Sequence, residues 1–236
     1  MVFCYPLGEE YIRFHRVYRQ LALRLSNVGF PVLRFDFYGC GDSSGDCEQG
    51  QISQWLTDIS TAIGEIRRRS GVMKICLFGL RLGGALSMMV GAMRGDIDSI
   101  VLWDAVISGQ AYVEKLTASH QEMLRKAHVN PRRNTTDEKH TEILGFPLTD
   151  SMLTELENVD LLAIQQKPAN NILVIESNEE VNQERLGEHL KSIGAHVAYQ
   201  HLPSPQLWDW IEDFGRILVP HQILQSVVSW ISEVYL

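Results

Sequence analysis

Residues 75–83 read Ile75-Cys76-Leu77-Phe78-Gly79-Leu80-Arg81-Leu82-Gly83. An apolar run enters Gly-x-x-x-Gly, and a helix-compatible run, Gly84-Ala85-Leu86-Ser87-Met88-Met89-Val90, leaves it. The pattern predicts a strand, a sharp turn and a helix, the setting in which Gly-x-Ser-x-Gly presents a serine nucleophile. Here the middle residue is Arg81. A guanidinium offers no lone pair and stays protonated in proteins, so it cannot attack a carbonyl. The helix N-terminus beside it favours anions, so a cation there calls for a negative partner. Two arrangements supply one. Glu9, Glu10 or Asp104 forms an internal salt bridge that plugs the pocket, or a ligand carboxylate, phosphate or sulfate is gripped by the planar fork.

Outward from this turn, strand and helix patterns alternate, which predicts a mostly parallel sheet with helices on both faces. Strands are expected over 2–5, 31–37, 73–78, 97–103, 171–176 and 196–202. Helices are expected over 11–28, over 52–69, after the elbow, before Gly194, and over 220–236. On the first helix Tyr11, Ile12, Val17, Leu21, Leu23, Leu25 and Val28 are expected on or near one side. Asp36 to Asp46 reads as a Gly/Ser/Asp-rich loop. Residues 105–165 contain charged helical patches without strand signal, which read as a small helical cap. At 236 residues the chain is expected to be a single domain, 1–236. Arg67, Arg68 and Arg69 at a helix C-terminus read as a solvated, dipole-favoured end.

The net charge of −8 lacks the basic face that nucleic acid would want. Cys4, Cys40, Cys47 and Cys76 have no metal-ligand spacing and read as reduced thiols, which with no N-terminal signal segment places the protein in the cytoplasm. No apolar run reaches the ~20 residues of a membrane span. The eight histidines show no pair at metal spacing, so neither a metal nor another cofactor is expected. His15 is expected near the pocket, and His120, His128 and His140 at the surface of the cap. His189 and His196 are expected to flank a helix and a strand start.

Together these pieces resemble the α/β-hydrolase superfamily in its serine-aminopeptidase-like branch. Leu33-Arg34-Phe35-Asp36-Phe37-Tyr38-Gly39-Cys40-Gly41-Asp42-Ser43-Ser44-Gly45 is similar to that fold's strand-4 segment and following loop. Pro6-Leu7-Gly8-Glu9-Glu10, the Gly-Leu-Arg-Leu-Gly elbow and Leu102-Trp103-Asp104 resemble the hydrolase-like proteins associated with exosortase systems. The resemblance implies an α/β-hydrolase fold whose first N-terminal hairpin is missing. The 31–37 strand would then be an apolar edge that pairs with a partner (a homodimer through the sheet edge), lies under a loop, or has further strands upstream.

The resemblance also places a catalytic histidine in the loop after the last strand. That loop, Ser204 to Pro220, holds none; His201 precedes it and His221 follows it. A triad needs nucleophile, histidine and carboxylate together. Asp104, Glu176, Glu179 and Glu180 remain as acids. Ser87 reads as helix packing, Ser43 and Ser44 as turn residues, and Cys4 and Cys40 as inert thiols near the pocket. The candidate catalytic set is therefore Arg81, Asp104, Glu9, Glu10 and His201. The candidate ligand-lining set is Gly8, Leu80, Leu82, Cys40, Trp208 and Trp210. The function read from this is non-hydrolytic binding of an acyl or anionic small molecule, or a partner, in the former active site. The alternatives are altered chemistry (isomerase, cyclase, lyase or acyl transfer) using Arg81 and a carboxylate, and an esterase or thioesterase with a displaced nucleophile.

Overall fold

The structure, a computed structural model, describes residues 1–127, 140–178, 182–204 and 219–235. Its centre is a six-stranded, all-parallel sheet. β1 (Val2–Cys4) and β2 (Leu33–Arg34) flank the helix α1 (Gly8–Asn27) in sequence. α2 (Ile52–Ser70) leads to β3 (Cys76–Leu80), α3 (Leu82–Arg94) and β4 (Ser99–Trp103). Then come α4 (Gly109–Lys126), β5 (His140–Ile143), β6 (Phe146–Thr149) and α5 (Asp150–Glu157). β7 (Asn171–Glu176), α6 (Gln183–Ser192), β8 (His196–His201) and α7 (His221–Tyr235) complete the described order. The strands lie β2-β1-β3-β4-β7-β8.

The central strands are apolar on both faces, as a parallel sheet covered by helices requires. Val2, Cys4, Leu77, Ile100, Leu102, Ile172 and Val174 belong to the core shared with α2, α3 and α6. Their neighbours Phe3, Phe78, Leu80, Val101, Trp103, Leu173 and Ile175 belong to the core shared with α1 and α7. The alternation is the period of two that a strand imposes on its side chains.

Three expectations are corrected. The stretch 31–37 is not a long buried strand: only Leu33 and Arg34 pair, and both are half-buried. On α1 the buried face is Arg13, Phe14, Val17, Tyr18, Leu21 and Leu25, whereas Ile12, Leu23 and Val28 are exposed. The face is set by contact with the sheet and α7, and those three apolar residues fall outside the arc it covers. The cap region is not all helical. β5 and β6 form an antiparallel hairpin, with Ile143 opposite Phe146. Its two-residue turn holds Leu144 and Gly145 at φ 52° and 84°. Such turns normally announce themselves as Asn-Gly or Asp-Gly, and leucine hides this one.

The hairpin and α5 are anchored to the sheet layer at the start of α2. Glu155 accepts hydrogen bonds from the Ile52 and Ser53 N–H groups, at 2.7 and 3.3 Å. Cys47, in a short 3-10 turn ahead of α2, donates its Sγ–H to the Pro147 carbonyl at 3.9 Å. Arg67 pairs with Asp96, and Arg68 and Arg69 pair with Glu65, the solvated end expected of that cluster. No described helix is long and apolar enough to cross a membrane.

Candidate functional site

The elbow is built by glycines. A Cβ on Gly79 would lie 2.2 Å from the Gly83 carbonyl oxygen, and one on Gly83 would lie 2.1 Å from that of Cys4. The Gly-x-x-x-Gly spacing thus lets β3 turn into α3 directly against β1. Between them Arg81 is held at φ 53°, ψ −122°, outside the comfortable regions for a residue with a side chain. Its N–H donates to the Trp103 carbonyl at 3.0 Å, and its own carbonyl accepts from Gly84, Ala85 and Val106. Backbone bonding on both sides fixes the conformation that sterics alone would avoid.

The Arg81 side chain is buried and committed inward. Its Nε donates to Glu10 Oε1 at 2.9 Å, and Nη1 donates to the Asp104 backbone carbonyl at 3.2 Å. Tyr112 of α4 donates its hydroxyl to the other oxygen of the same carboxylate, Glu10 Oε2, at 2.9 Å. The guanidinium carbon lies 5.5 Å from the centroid of the Tyr112 ring. Burial opposes the charge of Arg81, but Glu10, Tyr112 and Asp104 together more than offset it and leave the guanidinium above its ordinary value. Burial pushes the Tyr112 phenol well up and Glu10 pushes it the same way, so it stays a donor. Glu10 lies in the first turn of α1, so one carboxylate answers both the Arg81 guanidinium and the N-terminus of its own helix.

Asp104 enters this network through its backbone. Its carboxylate, fully buried, turns to the other side and accepts from the Ser177 and Asn178 N–H groups at 2.8 and 3.3 Å, and from the Ser177 hydroxyl. Burial pushes the Asp104 carboxyl up, against those bonds and against Arg81. Glu9 pairs with Arg13 at 2.7 Å. Glu176 anchors the start of α6 by accepting from the Gln183 N–H, and it also accepts from the Tyr199 hydroxyl.

Above the pair lies a cavity of about 310 Å³. Its floor is Arg81, Glu9, Glu10, Arg13 and Tyr112. Its walls are Leu7, Leu116, Met123, Ile143, Leu144, Phe146 and Leu148, and Lys115, Ser119, Glu122 and Lys126 complete the lining. Gly8, at φ 60°, lets the Phe146 ring close over the start of α1, since a Cβ there would come within 3.3 Å of it.

The structure therefore gathers Gly8, Glu9, Glu10 and Arg81 around one cavity and places Asp104 just behind it. The other sequence candidates lie elsewhere. Leu80 and Leu82 flank the elbow but point into the two cores. Cys40 is half-buried in the loop after β2 and does not line the cavity. His201 is exposed at the end of β8, and His15 is exposed against Arg34. His120 is half-buried and accepts from the Leu144 N–H. His189 bonds the Ile164 carbonyl, and His196 is exposed at the start of β8. Ser87 donates to the Gly83 carbonyl inside α3. His128, Glu179, Glu180, Trp208 and Trp210 lie outside the described residues. No described histidine lines the cavity. Among the described residues no group of His, Cys, Asp or Glu is arranged to hold a metal ion. Sequence reading missed Tyr112, Leu116 and Phe146. The first two sit on one stripe of α4, visible as helical spacing but hard to pick out among its many charges.

A sequence profile described as "Serine aminopeptidase, S33" matches residues 10–153. The chain belongs to the serine aminopeptidase family. An uncharacterized protein of Saccharomyces cerevisiae, YDL057W, is 45% identical over 53 residues, a stretch covering 21% of this chain and 16% of that relative. Among solved structures, Est1E from Butyrivibrio proteoclasticus with ferulic acid bound superposes with a TM-score of 0.66 at 17% identity, covering 98% of this chain and 87% of that one. A thermostable carboxyl esterase from Bacillus coagulans, in complex with glycerol, gives 0.67 at 12% identity, covering 100% and 89%. At such identities the likeness establishes the α/β-hydrolase fold of this family member and nothing of its chemistry.

Proposed function

We propose that this protein is a non-hydrolytic member of its family that binds a small, largely apolar molecule in the cavity over the elbow. The observation that carries this is the Arg81 Nε to Glu10 Oε1 contact of 2.9 Å at the nucleophile position. The residue standing there has no lone pair, and its cation is already neutralised from within. An anionic ligand would have to displace Glu10, a tethered carboxylate with two donors, and leave it uncompensated; breaking such a pair is strongly unfavourable. The apolar walls remain open to a ligand, and their volume is at the lower end of small-molecule pockets.

The test has two arms. p-Nitrophenyl acetate, butyrate and octanoate are expected to show no turnover above buffer with the wild type or with Arg81→Ser, and a fluorophosphonate probe is expected to label neither. Nile red, a neutral apolar dye, is expected to bind with enhanced fluorescence, and Leu116→Asp to abolish the enhancement. Stoichiometric fluorophosphonate labelling would sink the non-hydrolytic half. A Nile red response unchanged by Leu116→Asp would sink the binding half.

A further inference from the structure

Resting on that reading, we infer that the ligand is a neutral, single-chain amphiphile whose head donates a hydrogen bond to Glu10, of the class of a long-chain alcohol or primary amide. The first reason is shape. Tyr112, Lys115, Leu116, Ser119, Met123 and Lys126 of α4 all line the cavity, at the spacing of one helix face. From Tyr112 to Lys126 that face runs about 21 Å, at 1.5 Å per residue. A volume of about 310 Å³ drawn out over such a length is a slot rather than a bowl. Its middle sets Leu116 and Met123, with Ser119 and Glu122 between them along α4, against the apolar residues Ile143, Leu144, Phe146 and Leu148 of the β5–β6 hairpin. An unbranched chain fits a slot, and a compact ring system does not.

The second reason is the polarity of the end at the elbow. Arg81 is 4% exposed and turned inward, so it offers little to a ligand. Tyr112 already commits its hydroxyl donor to Glu10. The side chain of Glu10 is 18% exposed, and what it presents is an acceptor. A carboxylate has more lone pairs than the two bonds use. A head with an O–H or N–H group satisfies it; an ester or ketone does not. A carboxylate head meets like charge there. An ammonium head on Glu10 meets the Arg81 guanidinium, whose Nε already holds the same carboxylate at 2.9 Å. The head that remains is neutral and donating.

Competition against Nile red at neutral pH tests this with decan-1-ol, decanamide, decanoate, decylamine and 1-adamantanol, the last a compact alcohol of the same carbon count as decanol. Decan-1-ol and decanamide are expected to displace the dye about tenfold more tightly than decanoate or decylamine, the size of one hydrogen bond to a charged group. 1-Adamantanol is expected to compete poorly. Glu10→Gln is expected to erase the preference for alcohol over acid. Should that variant not fold, Tyr112→Phe frees Glu10 Oε2, and the preference is expected to rise. Decanoate binding as tightly as decanol, or 1-adamantanol matching it, overturns the inference while leaving the apolar site in place. Failure of Nile red itself to bind overturns the underlying reading as well.

Discussion

Arg81 occupies a position that three separate forces would deny to it. Its backbone is left-handed in φ, its charge lies at the positive end of α3, and its side chain is buried. Glu10 offsets the last two. The pair is therefore a mutual dependency rather than a net source of stability, because desolvating both charges costs about as much as their attraction returns. A double-mutant cycle checks this. Arg81→Met and Glu10→Leu are each expected to cost about 3 kcal/mol, since each strands a charge, while the combined variant costs far less than their sum. Urea midpoints measure all three. Additive losses would mean that the two residues are stabilised by other contacts. The serine of an ordinary elbow could not simply be restored here: Arg81→Ser leaves Glu10 without its cation.

At the scale of elements, the β5–β6 hairpin is where local structure and site pull in different directions. Leu144 carries a positive φ in a turn that asparagine would fill with less strain, and it lines the cavity. Non-glycine residues in this region cost of the order of 1–3 kcal/mol. Leu144→Asn is expected to relieve part of that and to lose about as much apolar burial, so the melting temperature stays level or rises. Nile red affinity is expected to fall at the same time. A large drop in melting temperature without loss of dye binding would show that Leu144 serves the fold and not the cavity. α4 has a comparable double role: Tyr112 reaches the floor through Glu10, while Leu116 and Met123 form the wall, so cap and elbow are joined through one phenol.

Across the whole molecule, the cysteines report how completely the sheet is covered. Cys4 and Cys76 lie on β1 and β3 in opposite cores, and burial pushes both thiols up to about 12. Burial raises Cys40 to about 12 as well, and Cys47 by less. A thiol–disulfide reagent at pH 8 is therefore expected to modify Cys47 first, Cys40 more slowly, and Cys4 and Cys76 only on denaturation. The linkage has a definite sign. Thiols whose folded values exceed their unfolded ones contribute stability that is complete below the unfolded value of about 9 and is lost as pH rises toward 12. The urea midpoint is thus expected to fall from about pH 9 upward. Rapid modification of all four thiols in the native protein would contradict the burial on which both cores depend.

The alternating apolar runs and the Gly79–Gly83 spacing determined the parallel sheet and the elbow by themselves, because strand periodicity and glycine close approach are local properties. The missing lone pair at Arg81 and the missing histidine between Ser204 and Pro220 were equally plain, being matters of residue chemistry. That Arg81 needs an acid is legible too, with Glu9, Glu10 and Asp104 as the candidates. Which of them answers it was decided only in three dimensions. Glu10 reaches the guanidinium because α1 begins at Gly8 and turns that residue toward Arg81, whereas Glu9 faces Arg13 and the Asp104 carboxylate turns to Ser177. Tyr112, Phe146 and the hairpin were likewise settled by tertiary packing, because they lie far along the chain from the elbow. Their contacts depend on how α4 and the turn at Leu144 settle over the sheet, and no short stretch of sequence encodes that.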